Sequence, residues 1–284
     1  GGLGRTPVIA SVIEEFLPRQ HLITYLEAIL RVYNKLGRRD NKYKARIKIL
    51  VRALGVEKFR ELVEAEWSSI KDGPSTLTDE DFEHARSYFV SPNYESLDNI
   101  EADTNLHKQA AENKAFAHWL SSNTQPHQAP GYASVTLSLK TTGYAPGDIT
   151  DTQMDAVADM ADRFSFGEIR SSHEQNLILA HVKKADLFEL WQQATQQGLA
   201  IANIGYLTDM ICCPGGDFCA LANAKSIPIA EAIQRKFEDT DYLYDLGKID
   251  LNISGCMNAC GHHHIGHIGI LGVDKKGQEF YQVS

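Results

Sequence analysis

Hydrophobic positions recur at steps of three and four along roughly the first 70 residues. Leu22, Tyr25, Leu26, Ile29, Leu30, Tyr33 and Leu36 form one stripe, and Gly37 follows where a helix C-cap belongs. A second helix is predicted from about Asn41 to Leu54, ending at Gly55, and a third through Phe59, Leu62, Val63 and Trp67. The rhythm then weakens. Positions 74–105 carry eight acids and one base, and one helix is predicted there, with Thr78 as its cap, Asp81 three residues on and Leu77 as a staple. The rest of 73–130, ending at Thr124-Gln125-Pro126-His127-Gln128-Ala129-Pro130-Gly131, is polar and reads as a linker or surface wrap.

Periodicity returns after residue 130. Ala133, Val135, Leu137 and Leu139 alternate like a half-buried strand, and Met154, Val157, Met160, Ala161 and Phe164 follow at helical spacing. Short strands are predicted at about 167–171 and 177–182, joined by His173-Glu174-Gln175-Asn176. A helix through Leu187, Leu190, Trp191 and Ala194 stops at Gly198, and 199–204 reads as strand again. The order β-α-β-β-α-β is that of a ferredoxin-like split unit. Beyond it, a helix is predicted from Ile227 to Phe237 with Pro228 in its first turn, a strand at Ile249, Leu251 and Ile253, and another from Ile265 to Val273. The fold class is therefore α+β.

Composition narrows the function. Of 284 residues, 28 are basic and 37 acidic, a net charge of −9, which argues against broad nucleic-acid binding. A basic island stands out locally: Arg38, Arg39, Lys42, Lys44, Arg46, Lys48 and Arg52 against Asp40 alone. No apolar run approaches the ~20 residues of a membrane span, and no GxGxxG or Walker fingerprint is present. No basic-then-apolar signal pattern is read at the start, so a cytoplasmic location is expected, and the start at Gly1 without Met suggests a piece of a longer protein.

All five cysteines fall late, on loops at element ends. Cys213 and Cys219 are spaced C-x5-C, and Cys256 and Cys260 are spaced C-x3-C. An odd number of clustered thiols in an unsignalled chain points to metal ligation rather than a disulfide framework. Four thiolates on wide, glycine-containing loops suit a [4Fe–4S] cluster; a zinc-bound structural module, which usually uses tighter spacing, is the alternative.

Cys-x5-Cys followed by Gly255-Cys256-Met257-Asn258-Ala259-Cys260-Gly261 resembles the signature of the sirohaem and [4Fe–4S] nitrite/sulfite reductase family, most nearly its assimilatory sulfite reductase haemoproteins. Gly1-Gly2-Leu3-Gly4 is similar to the glycine run that opens the segment before the family's second half. Lys44-Ala45-Arg46-Ile47-Lys48 sits where the family has a basic cluster, and the hairpin at Gln175-Asn176-Leu177 resembles that of its second ferredoxin-like half-domain. Met257 departs from the proline common there.

The resemblance implies four segments. Residues 1–72 would end a first reductase domain, 73–130 would link, 131–204 would be the ferredoxin-like half-domain, and 205–284 a mixed α/β domain for the cluster and sirohaem, cut short at its C-terminus. Cys213, Cys219, Cys256 and Cys260 would hold the cluster, and Cys260 would also be the axial sirohaem ligand and so the catalytic residue. Lys44, Arg46, Lys48, Arg170, Asn176 and Asn258 would contact the cofactors. Each has a plainer reading: a solvated helix face for the basic residues, turn chemistry for the others. Cys212 is a competing thiol, although Cys213 gives the x5 spacing. His262, His263, His264 and His267 would supply protons, bind zinc with the cysteines, or simply line a loop. The implied reaction is six-electron reduction of sulfite to sulfide, or of nitrite to ammonia, with electrons from a ferredoxin or an NADPH-flavoprotein reductase. Because the family's principal anion-binding residues lie in an N-terminal half absent here, the chain alone is expected to bind cofactors poorly and turn over slowly or not at all.

Overall fold

The computed structural model describes residues 6–41, 44–97 and 99–284. The glycine run at 1–4 and Lys42 of the basic island lie outside these. The chain divides into two units, Gly1–Pro92 and Asn93–Ser284.

The first unit is helical: α1 (Leu22–Leu36), α2 (Ile47–Leu54), α3 (Val56–Trp67) and α4 (Asp79–Arg86). The inward positions of the first three, Tyr25, Ala28, Val32, Leu50, Phe59 and Val63, share one core. Polar handles fix the packing, with the Tyr25 hydroxyl donating to Glu64 (2.7 Å) and the Trp67 indole donating to Thr24 (3.0 Å). The α4 cap forms as predicted: the Thr78 side chain accepts from the Asp81 amide while the Asp81 carboxylate accepts from the Thr78 amide. The second helix begins six residues later than its basic run suggests. Lys44 closes a turn onto Asn41, and Arg46 is an extended N-cap (φ −140°, ψ 141°).

The second unit contains α5 (Asn99–Glu112), α6 (Lys114–Asn123), β1 (Thr124–Pro126), β2 (Tyr132–Leu137), α7 (Asp151–Phe164), β3 (Ile169–Ser171), β4 (Leu177–Lys183), α8 (Leu187–Gln196), β5 (Ile211–Cys212), α9 (Gly215–Phe218), α10 (Ile227–Lys236), α11 (Thr240–Leu246), β6 (Leu251–Ser254), β7 (Ile268–Lys275) and β8 (Gln278–Val283). Its first sheet is antiparallel, in the order β1-β2-β4-β3. Val157, Met160, Ala161 and Phe164 of α7 and Leu187, Leu190 and Ala194 of α8 join Val135, Leu137 and Leu179 of the sheet in one core, as their spacing predicts.

Two expectations change here. Much of the stretch read as an irregular wrap is ordered: α5 and α6 occupy it, and Phe116 and Trp119 of α6 are fully buried in the same core. Polar composition masked a short amphipathic helix whose two large aromatics carry its burial. Residues 199–204 do not form a strand. The outer edge of β2 is taken by β1, with Thr124 opposite Val135 and Pro126 opposite Ala133. The segment runs extended nearby instead, and the Asn123 amide donates to both the Thr136 and Ile201 carbonyls (3.0 Å each), standing in for the missing ladder.

The second sheet has the order β5-β6-β7-β8; β5, β6 and β7 are parallel and β8 returns antiparallel. All four β6 residues are buried, as a central strand requires. Because β5 and β6 run the same way, the loops leaving their carboxyl ends emerge on one side of the sheet, where open α/β sheets bind ligands.

Candidate metal centre

Cys213 is the residue after β5, and Cys256 lies two residues beyond β6. The parallel pairing of these strands, Ile211 with Asn252 and Cys212 with Ile253, sets the two cysteine loops side by side. Cys213 is stitched to the other loop directly: its amide donates to the Ile253 carbonyl (3.1 Å) and its Sγ accepts from the Gly255 amide (3.0 Å). The Ser226 hydroxyl also lies 3.5 Å from this sulfur. Gly255 permits the approach, since a Cβ there would come within 2.7 Å of Gly215 Cα and of the Ala224 carbonyl oxygen. A Cβ on Gly261, just past Cys260, would strike the Ile253 carbonyl oxygen.

The four thiols of the two motifs share one neighbourhood. The Cys260 thiol is pushed up by burial first, and then by the charges of Cys213, Cys256 and Cys219 together. A thiol raised by its neighbours in this way is one whose thiolate a cationic centre would favour. The donor chemistry fits a four-thiolate cluster. Among the described residues no three His, Cys, Asp or Glu side chains are already close enough together to hold a metal ion.

Cys212 is set apart from this group. It is buried in the apolar core with Met210, Leu251 and Ile253, and burial pushes its thiol up to about 12. Its Sγ donates to the Cys213 carbonyl (3.3 Å).

The other expected residues are spread widely. Lys44, Arg46 and Lys48 belong to the first unit and do not share one helix: Lys44 and Arg46 precede α2 and are exposed, and Lys48 donates to the Thr6 carbonyl (2.9 Å). Arg170, on β3, pairs with Glu168 at 2.5 Å and is half exposed. Asn176 is 2% exposed and both ends of its amide are taken: Oδ1 accepts from the Leu139 amide (3.0 Å) and Nδ2 donates to Asp209 (2.8 Å). Asn258 is exposed between the last two cysteines. Of the histidines, His267 accepts from the Asp250 amide (3.0 Å), His263 is buried against His264, and His262 and His264 are exposed.

Several residues around the centre were not foreseen. Lys140 is 2% exposed, and its ammonium donates to the Glu174 (2.6 Å) and Gln175 (2.9 Å) carbonyls; burial pulls its pKa down to about 8. Asp209 accepts from Asn176 and from the Gly205 amide, yet burial raises it to about 6. A basic residue closing an alternating apolar run at Leu137-Ser138-Leu139-Lys140 is a readable sign of a buried cation; Asp209 carries no such sign. Farther off, His127 Nδ1 accepts from the Ala129 amide, leaving Nε2–H to donate to His181 Nδ1 (3.1 Å) and His181 Nε2–H to reach Glu168 (3.2 Å).

Residues 1–71 match the nitrite and sulphite reductase 4Fe-4S domain, and residues 126–197 match the nitrite/sulfite reductase ferredoxin-like half domain. The chain belongs to the nitrite/sulfite reductase family. The family's cofactors are those the cysteine motifs imply, a [4Fe–4S] cluster and sirohaem. The five cysteines fall outside both matched segments. The chain is 24% identical over 280 residues to sulfite reductase [ferredoxin] 1 of Mycolicibacterium paratuberculosis, covering 96% of this chain and 42% of that one. It is 23% identical to a chloroplastic ferredoxin–nitrite reductase of Arabidopsis thaliana, covering 94% of this chain and 39% of that one. The structure of the Mycobacterium tuberculosis NirA protein shares its fold, with a TM-score of 0.64 and 24% identity over 100% of this chain and 46% of the other. The chain thus spans less than half the length of these relatives. Among the described residues no helix is long and apolar enough to cross a membrane.

Proposed function

We propose that this chain is the cluster-bearing part of a cytoplasmic, assimilatory sulfite reductase, with Cys213, Cys219, Cys256 and Cys260 as the cluster ligands and Cys260 as the bridge to sirohaem. The observation that supports this reading is that Cys213 and Cys256 follow adjacent parallel strands, with the Gly255 amide donating to the Cys213 sulfur. When bound, the cluster and sirohaem supply the electron store and the iron at which an oxyanion is reduced by six electrons. The chain's own part is to hold four deprotonated sulfurs in place. The parallel strand pair sets the loop spacing, Gly255 lets the loops meet, and the amide of Gly255 donates to the Cys213 sulfur and fixes its position. Cys260 is the most exposed of the four, which suits a thiolate that must reach a second group.

Nitrite is the second substrate reading, because relatives named for nitrite reduction match over nearly as much of the chain. Ferredoxin is the donor we favour, since relatives of both kinds are named for it. Lys44, Arg46, Lys48 and Arg170 remain our candidates for contacts with the cofactor carboxylates, and Asn176 and Asn258 remain candidates for polar contacts with the cofactors, Asn176 also donating to Asp209.

Anaerobic loading with iron and sulfide tests this. We expect iron and labile sulfide in about equal amounts, short of four of each per chain, with visible absorbance that Cys260→Ser removes. One zinc and no iron would overturn the reading. With a reduced viologen dye as donor, sulfite turnover by this chain alone is expected to be far slower than by a full-length relative.

A further inference from the structure

The tip of the β3–β4 hairpin makes an unusual contact. Gln175 lies there with φ +61°, a left-handed backbone that Asn and Gly tolerate and Gln rarely adopts. Its turn is closed by Ser172 and Asn176, and the buried Lys140 ammonium clamps the carbonyls of Glu174 and Gln175. The side chain then leaves the ferredoxin-like sheet. Nε2 donates to the Cys212 carbonyl (2.9 Å) and Oε1 accepts from the Cys212 amide (2.8 Å). A primary amide has one donor edge and one acceptor edge, so it can replace a strand residue in a ladder.

Cys212 sits in β5, the outermost strand of the second sheet. One side of β5 pairs with β6; Gln175 occupies the other at Cys212. Cys213 follows at once, and its sulfur faces Gly255. A residue needed only for the turn would be Asn or Gly at this φ. The longer amide reaches Cys212, and the strained backbone persists because the surrounding contacts over-determine it.

We propose that Gln175 is a positioning residue for the cluster: its amide brackets Cys212 and thereby holds Cys213 in the arrangement that the other three thiols require. This rests on the cluster reading above. Neither Gln175 nor Lys140 touches the four sulfurs, so their influence passes through the β5 backbone.

The test compares wild type, Gln175→Asn and Gln175→Met, each loaded anaerobically with iron and sulfide. Asn suits the backbone angle but falls short of Cys212; Met has the length without the hydrogen bonds. Readouts are the rate of iron loss to a ferrous chelator, the electron paramagnetic resonance of the reduced cluster, and the unfolding midpoint of the metal-free protein. With two hydrogen bonds gone, both variants are expected to lose iron about tenfold faster and to give a broadened or shifted resonance. The Asn variant is expected to keep a metal-free unfolding midpoint at or above that of wild type, because its backbone strain is eased. Wild-type rates and spectra in both variants, with wild type holding its cluster, would overturn the positioning role and leave the cluster reading intact. A wild-type chain that takes up no iron would overturn both.

Discussion

Cys212 and Cys213 are sequence neighbours with opposite surroundings. Burial among apolar side chains pushes the first thiol up, while the sulfur of the second accepts from the Gly255 amide. Cys212→Ala should therefore leave iron content after loading unchanged, and Cys213→Ala should lower it sharply, both read by iron assay. Spacing alone favours Cys213, and the C-x5-C and C-x3-C motifs made the four candidate ligands legible. The hairpin carrying Gln175 was legible but its contact with Cys212 was not, because that partner is 37 positions away in another sheet. Asp209 offers a test of burial itself. Its pKa rises from 3.8 to about 6, so the folded state holds its proton more tightly than the unfolded state does. The stability this confers is full below about pH 4 and is lost as pH rises through about 6. Asp209→Asn should flatten that decline. Denaturant unfolding at pH 4 and 6.5 should show the variant losing less stability than wild type over this range, by on the order of 2 kcal/mol.

At the scale of elements, helices with strong stripes and caps were read well. Thr78→Ala should cost about 1 kcal/mol, seen as faster hydrogen exchange across α4. The misreadings share a cause: each concerned what an element packs against. The α6 helix lies in a stretch that is polar overall, and only its burial of Phe116 and Trp119 reveals its place in the core. Residues 199–204 have the alternation of a strand, but β1 reaches the free edge of β2 first. Loop geometry around the cysteines is equally demanding. Gly261→Ala places a methyl group against the buried Ile253 carbonyl, and we expect about 1–3 kcal/mol of destabilisation in denaturant melts together with reduced iron uptake.

At the scale of the whole molecule, the expected anion-contacting lysines fall in one unit and the cysteines in the other, and the division at Pro92/Asn93 lies within the 73–130 stretch read as a linker. Near that boundary Tyr88 and Phe89 are 73% and 84% exposed. Limited chymotrypsin digestion should cut there first and release two fragments, detectable by mass. Parallel pairing has a further consequence. Neighbouring strands that run in one direction cannot be joined by a tight hairpin, and here the polypeptide between β5 and β6 includes α9, α10 and α11. During synthesis the first two sulfurs leave the ribosome well before the last two, and a nascent chain halted ahead of Leu251 presents only half a claw. On the proposed cluster assignment, iron would be taken up only after this return crossing has closed, since the first two thiols alone have no companions to share the metal.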